Sequence, residues 1–419
     1  MIDTLKISKF ENPLRQKINV WLNYALIAFA FVLPISRSGI SILIVVIPLL
    51  WIAEGGWKTK WEVLKKDRFV LAICAYLGFV LLSLLWTDNY SKAVLGIKNY
   101  GHLILIPIVM LSVEKHNLIK LFRAFAIGMV ILIFLCVLNY FKIWTKPGKV
   151  AGAANLFMHR LDFSMFLATT IIMGLVFIQN HIQFVQKKKW NFDTILWIFL
   201  ISISLIWMFV QDGRSGQLAL AVSLPVFVIR IFWKKNKLTL GVLIILFSGF
   251  IYSQFHWNSS FRGRVLDAKN EMADAQKAGK YESSVGYRLI AWKISLKLIS
   301  ERPVAGYGIG DSMDVVQATV DNWKDEKIHL PPMDVITKNH VHNQYLQILL
   351  ETGAIGLVLF LTIFCFFYQG SLDRTASLML VIIFFTGFIA EPFMRNQFTS
   401  ALISFFMAWI YSFKTSGDE

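Results

Sequence analysis

The sequence predicts an all-α polytopic membrane protein, on three observations. Of the 419 residues, 56% are hydrophobic and only 16% charged, against about 25% charged in a soluble domain. Apolar runs approaching the roughly 20 residues that cross a bilayer follow one another with short gaps. Lysine and arginine concentrate in alternate gaps, the bias that keeps short loops on the cytoplasmic side. A formal net charge of +16 would suggest nucleic acid in a soluble protein. Here the charge sits between apolar runs, so membrane lipids are the expected surroundings and no nucleic-acid partner is expected. Soluble globular, disordered and collagen-like chains are excluded.

About twelve spans are expected, at roughly 20–36, 39–55, 69–87, 94–113, 124–142, 161–179, 194–211, 215–233, 238–255, 343–368, 376–393 and 399–413. The basic stretch before Trp21 imitates the start of a signal peptide. The run after it has no small-residue cleavage site and leads into another apolar segment, so it reads as an uncleaved first span. Tight connections around Pro34–Gly39 and Asp212–Ser215 leave the count open by one or two. Cys74, Cys136 and Cys365 each lie inside an apolar run with no ligand spacing, which makes them lipid-facing or packed residues.

The basic gaps hold Lys6, Lys9, Arg15 and Lys17; Lys58, Lys60, Lys65, Lys66 and Arg68; Lys115, Lys120 and Arg123; Lys187–Lys189; and Arg230, Lys234, Lys235 and Lys237. Both termini are then cytoplasmic, and the hydrophilic stretch 256–342 is extracytoplasmic. This divides the chain into 1–255 with nine helices, the loop 256–342, and 343–419 with three more. Inside the loop, Ser283 and Ser284 precede Leu289, Trp292, Leu296 and Ile299 at helical spacing, ended by Pro303. An amphipathic helix on the outer membrane surface is expected there. Gly306, Gly308 and Gly310 follow a helix and not a strand, which favours a flexible connection over a nucleotide-binding loop.

The outer ends of the spans are unusually cationic. Arg37, Lys98, His159, Arg160, Arg214, Arg262, Arg264, Arg288, His340 and His342 all fall on that side. Arginine forks match phosphate oxygens bidentately, so an anionic ligand is expected. The plain alternative is an anchor that snorkels to lipid headgroups; it fits Arg37 and Lys98 better than Arg214, which sits in a loop of a few residues. His340 and His342 could pair on a metal, but no HExxH or DxD accompanies them, and no metal or other cofactor is expected. A histidine at the mouth of a span, facing a basic cavity, suits a general base. Gln344, Gln347 and Glu351 share one side of the tenth span, a polar stripe expected to line a cavity. Glu351 and Glu391 are the carboxylates placed to reach the site from within spans, as acids or as counter-ions for arginine.

Several stretches resemble the O-antigen ligase and polymerase superfamily: SLLWTDNYSKAVLGIKNYGHLILIP, GRSGQLAL, SSVGYRLIAWKISLKLISERPVAGYGIGD, HVHNQYLQILLETGAIGL and AEPFMRNQ. They cover one early segment and most of the second half, in order. The resemblance implies a GT-C-like glycosyltransferase in the bacterial inner membrane. Such an enzyme takes a glycan from an undecaprenyl-diphosphate carrier at the periplasmic face and, in a ligase, passes it to a sugar of the lipid A core. It implies that Arg214 and His342, beside Asn343, are the essential arginine and histidine, and that Arg264 and Arg288 lie near the diphosphate. Gln211-Asp212-Gly213 departs from the family's hydroxyl-rich pattern, and Asp212 could pair with Arg214. O-antigen polymerases and protein O-oligosaccharyltransferases share the donor chemistry; the single outer loop and moderate length favour ligase, with polymerase next. A transporter would carry its polar residues near the midplane and not at the outer ends.

Overall fold

The computed structural model describes residues 13–184, 192–211, 213–233, 236–257, 259–278, 281–322 and 340–413. Every predicted span is helical. In chain order the longer helices are α1 (Pro13–Val32), α2 (Arg37–Glu54), α3 (Trp57–Leu64), α4 (Arg68–Leu82), α5 (Tyr90–Tyr100), α6 (Leu105–Ser112), α7 (Lys115–Tyr140), α8 (Arg160–Phe184) and α9 (Phe192–Val210). They continue with α10 (Arg214–Phe232), α11 (Lys237–Trp257), α12 (Ser259–Ala278), α13 (Ser284–Glu301), α14 (Ser312–Asp321), α15 (Gln344–Gly370), α16 (Arg374–Ala390) and α17 (Gln397–Ser412). Among the described residues, eight helices are long and apolar enough to cross a membrane, with Arg374–Ala390 a shorter apolar one. The chain is a multi-pass membrane protein. Cys136 is buried, Cys74 and Cys365 are exposed, and all three are free thiols.

Local sequence explains where the helices break. The fourth predicted span is two helices joined by a 3-10 turn at Gly101–Ile104. Pro107 lacks an N–H and its ring crowds the carbonyl four residues back, which favours a break in this region. α15 carries a kink at Gly353, whose φ of 63° and ψ of −164° leave the helical region. α17 is buried along its whole length, the state expected of a helix that is apolar all round and central to a bundle. Phe122 of α7 stacks between Trp197 and Trp409, with centroids 4.1 and 4.3 Å away, and so ties α7 and α9 to α17.

α13, the glycine run after it and the mouth of α15 each differ from the sequence reading in one respect. First, the buried line of α13 is Ile290, Ala291, Ile294 and Leu298, packed with Val316, Val341 and Leu350 in a second, smaller core. The expected stripe is displaced: Leu296 is 59% exposed, and the Trp292 indole donates to the Val341 carbonyl. α13 is apolar over more than one stripe, and contact with α14 and α15 selects which one is buried. Second, the glycine run after α13 is not flexible. Tyr307 and Gly308 donate to the carbonyls of Leu350 and Glu351 at 2.8 and 2.9 Å, and Ala354 N–H returns to the Pro303 carbonyl at 2.8 Å. This strap satisfies carbonyls that the kink at Gly353 leaves without helical partners. Gly306 (φ 67°) and Gly308 (φ 92°) hold left-handed conformations in it, and a Cβ on Gly306 would lie 2.6 Å from the Leu350 carbonyl oxygen.

Third, the polar stripe Gln344, Gln347 and Glu351 lines no cavity, being at most 1% exposed. Gln347 Nε2 donates to Glu351 Oε1 at 2.7 Å, Tyr100 Oη donates to Glu351 Oε2 at 3.1 Å, and Gln344 Oε1 accepts from the Met394 N–H at 2.8 Å. Arg395 forms an ion pair with Glu351. In a low-dielectric interior each polar group here needs its partner, which is why the stripe is folded inward and saturated.

Gly353→Ala should lower the thermal unfolding midpoint of the purified protein clearly, because a Cβ there would overlap the Val304 carbonyl in a left-handed conformation. Gly78→Ala, whose Cβ meets nothing within 4 Å in mid-helix, should leave the midpoint unchanged or raise it, helical Gly-to-Ala being worth up to about 1 kcal/mol. Equal midpoints for the two variants would contradict the strap's role.

Candidate functional site

His342 sits in a short segment whose neighbours are pinned. Val341 is fully buried; its N–H donates to Gln347 Oε1 at 3.1 Å and its carbonyl accepts from Trp292. Asn343 caps α15: Oδ1 accepts from the N–H groups of Tyr345 and Leu346 at 2.9 and 3.1 Å, and Nδ2 donates to the Ile389 carbonyl at 3.2 Å. Between these anchors His342 adopts φ 54°. A non-glycine residue held there costs on the order of 1–3 kcal/mol, and such strain collects at sites where a side chain must be aimed.

It is aimed at Glu391. Pro392 ends α16 and forces the residue before it into extended backbone, and Glu391 accordingly has φ −155° and ψ 148°. Its carboxylate is 3% exposed and draws three groups together. His342 Nδ1 lies 3.0 and 3.2 Å from the two oxygens, Arg288 Nη2 3.1 Å from Oε1, and His340 Nδ1 3.7 Å from Oε2. The partners are open: the side chains of His340, His342 and Arg288 are 23%, 24% and 28% exposed. The chemistry thus has a buried carboxylate behind it and an accessible face in front.

The electrostatics are consistent with an ionised carboxylate. Burial pushes the Glu391 carboxyl up, but the hydrogen bond from His342, the attraction of His340 and His342 when these are protonated, and that of Arg288 outweigh it and hold it below its ordinary value. Burial pushes His340 down to about 4, against the pull of Glu391, so His340 is neutral near pH 7. His159, at the start of α8, is also lowered by burial, then by Arg160, and is opposed by Glu391. A carboxylate facing Nδ1 favours the tautomer that carries its proton there and turns Nε2 away from Glu391, the geometry of a carboxylate–histidine dyad.

Three of the predicted cations share a structural position. Arg37, Arg160 and Arg214 are the first residues of α2, α8 and α10, and all three are exposed. Their helix starts meet around the segment after Glu391. Gln397 Nε2 donates to the Arg37 carbonyl at 3.2 Å, Asn396 Nδ2 donates to Asp162 of α8 at 3.2 Å, and the Gly216 N–H of α10 donates to Ser164 of α8 at 3.0 Å. Gly213 packs on the Arg160 carbonyl so closely that a Cβ would come within 2.5 Å of its oxygen. Positive helix ends and guanidinium groups thus lie together, a combination whose electrostatics suit an anion.

The other expected residues are less involved. Lys98 is exposed on α5. Asn343 spends its amide on capping and on Ile389. The side chain of Arg264, the segment Lys187–Lys189 and Asp212, expected to pair with Arg214, lie outside the described residues. Sequence reasoning missed Arg395, although AEPFMRNQ contains it. The signal available was an arginine beside a proline-broken helix with a buried glutamate, Glu351, still unpaired elsewhere in the apolar sequence.

His340, His342 and Glu391 each offer one ligand atom, all within 4.8 Å of one another, so the third ligand that the His-x-His pair lacked in sequence is present. Arg288 shares the same carboxylate, and a divalent cation there would sit against a guanidinium.

Residues 197–361, less than half of the chain, match the family model described as O-antigen ligase. That stretch contains Arg214, Arg288, His340 and His342, while Glu391 and Arg395 lie beyond it. A Rickettsia conorii protein whose name proposes a polysaccharide ligase is 24% identical over 62% of this chain and 56% of its own length. Similarly named proteins of Rickettsia typhi and Rickettsia felis are 21% identical over 70% of this chain and 37% identical over 21% of it. The chain spans a little over half the length of the Rickettsia conorii relative. Over these regions it is similar to the O-antigen ligase superfamily.

Stability should depend on pH through His340. Its folded value of about 4 lies below the ordinary 6.5, so the unfolded chain takes up a proton between pH 6.5 and 4 that the folded chain refuses, and stability is lost as pH falls through that window. The thermal midpoint of the wild type should fall more steeply between pH 6.5 and 4 than that of His340→Gln. Parallel curves would show that His340 is not held neutral.

Proposed function

We propose that this protein is a metal-independent, inverting glycosyltransferase of the O-antigen ligase type, acting at the periplasmic face of the bacterial inner membrane. The observation that carries the proposal is the His342–Glu391 dyad, set beside Arg288 and next to three helices that begin with arginine. The donor is a glycan on undecaprenyl diphosphate and the acceptor a hydroxyl of a lipid A core sugar. His342 Nε2 takes the proton from that hydroxyl as its oxygen attacks the anomeric carbon. The bond from that carbon to the diphosphate breaks on the opposite side, and the configuration inverts. Glu391 holds the imidazole and balances the imidazolium that forms.

Arg214, Arg37, Arg160 and Arg288, with Arg264 and Lys98 as further candidates, stabilise the departing diphosphate. Guanidinium groups near a low-dielectric boundary can supply this without a metal, since each contact is stronger than in water. In this reading both termini are cytoplasmic, and 256–342 forms the periplasmic part between the helices of 1–255 and those of 343–419. An O-antigen polymerase would use the same donor chemistry with a glycan as acceptor; assays supplying either acceptor to one preparation separate the two.

Purified His342→Ala should insert normally and lose transfer from a lipid-linked glycan to lipid A core; activity within twofold of wild type would remove the base. Arg214→Lys should cost at least tenfold in turnover, because a point charge does not reproduce the bidentate fork, and full activity in that variant would refute its role at the diphosphate. Transfer should survive excess EDTA. Loss in the chelator with restoration by one divalent metal would reassign His340, His342 and Glu391 as its ligands.

A further inference from the structure

A concavity lies beside the α15 kink, and none of the arginines that begin α2, α8 and α10 lines it. It is a cleft of about 1220 Å³ between the Ser83–Trp86 turn, the start of α5, the end of α13 and α14. That exceeds the roughly 300–1,000 Å³ of a small-molecule pocket and suits an extended ligand.

Its lining differs in kind from the Glu391 site. Four carboxylates, Asp88, Glu301, Asp311 and Asp314, stand against two cations, Lys297 and Arg302. Asp311 and Asp314 are structural: Asp311 accepts the N–H groups of Asp88 and Asn89, both at 2.7 Å, while Asp314 accepts from Asn89 Nδ2 at 2.8 Å and pairs with Lys92. They lock the start of α5 to α14 and so give the cleft a fixed wall. The excess of carboxylate disfavours a phosphate or an anionic lipid headgroup.

Three aromatic rings line the same cleft. Tyr90 is 60% exposed, Trp86 is among the lining residues, and the Arg302 guanidinium lies 4.9 Å over the Tyr307 ring. An open aromatic face next to carboxylates matches a sugar, whose C–H faces stack on rings and whose hydroxyls donate to carboxylate oxygens. The cleft is tied to the dyad: Ser312, next to Asp311, bonds Gln347 at 3.4 Å, and Gln347 accepts the Val341 N–H beside His342.

We propose that this cleft binds the oligosaccharide portion of a substrate, separately from the diphosphate, with Tyr90 as the stacking platform and Asp88, Glu301 and Arg302 as its polar contacts. This rests on the glycosyl-transfer reading, yet it is tested by binding alone, so its failure is distinct from failure of the catalytic assignment. The saccharide could come from donor or acceptor, and the experiment distinguishes them.

Intact purified protein in lipid nanodiscs is titrated with two carrier-free probes, core oligosaccharide released from lipopolysaccharide and O-polysaccharide released from it, using saturation-transfer NMR. At least one should bind, and the one that does identifies the source. Tyr90→Ala and Arg302→Ala should each weaken that binding at least tenfold, Tyr90→Phe should retain it within threefold, and His342→Ala and added inorganic pyrophosphate should leave it unchanged. Circular dichroism confirms that the variants stay helical. No binding of either probe, wild-type affinity in both alanine variants, loss of binding in Tyr90→Phe, or displacement by pyrophosphate would each overturn the assignment.

Discussion

One constraint organises this end of the molecule: the chain leaves the helix between α16 and α17, and the polar groups so released must find partners. Pro392 favours the break by biasing Glu391 to extended backbone. Gln344 of α15 accepts the Met394 N–H, Asn99 of α5 donates to the Arg395 carbonyl, Asn396 reaches Asp162 of α8, and Thr399 donates to the Phe393 carbonyl at 2.8 Å. Four helices therefore meet at six residues, and their relative positions are fixed by hydrogen bonds as well as by apolar packing. The carboxylate of Glu391 inherits that rigidity, as does everything it holds.

The break separates two glutamates with different fates. Glu351 is 1% exposed and its partner Arg395 only 10%, so their pair is sealed among Tyr100, Gln344 and Gln347. Removing either partner would strand a charge in the interior, typically a loss of 3–5 kcal/mol. Glu391 is nearly as buried, but its partners are about one-quarter exposed. Only the second arrangement can exchange a proton with a bound molecule. Because burial keeps His340 neutral, the positive charge developed in such an exchange would fall on His342, nearest to Glu391 and aimed by its own strained backbone.

Sequence made the helices legible because the bilayer sets their length and composition, and most predicted edges fall within a few residues of the observed ones. Arg288, His340 and His342, expected from cation placement and motif, all reach Glu391, expected as a carboxylate within a span. What stayed hidden was pairing between distant residues. Glu351 finds Tyr100 251 positions away and Arg395 44 positions away, and no periodicity on α15 announces whether a polar stripe faces a cavity or a saturated network. The glycine strap was hidden for the same reason. Gly306 and Gly308 look permissive in isolation, and only the carbonyls of Leu350 and Glu351 show that their freedom is used to hold a fixed conformation.

The arginines bear on function through their cost to the fold. A cation in the first turn of a helix opposes the macrodipole by about 0.3–1 kcal/mol, and acidic residues are the stabilising choice there. Arg37, Arg160 and Arg214 all occupy that unfavourable position, and the starts of α2 and α10 have no acidic residue in the first turn. Asp162 of α8 is the exception, but it is turned to Asn396 and Thr399. Helix ends that meet and repeat the same unfavourable choice concentrate positive potential at this end of the bundle. A bound diphosphate would remove that penalty as it arrived, and its added negative charge on leaving the sugar would be stabilised more than the ground state is. The potential that weakens the empty fold is thus the one the proposed reaction needs at its transition state.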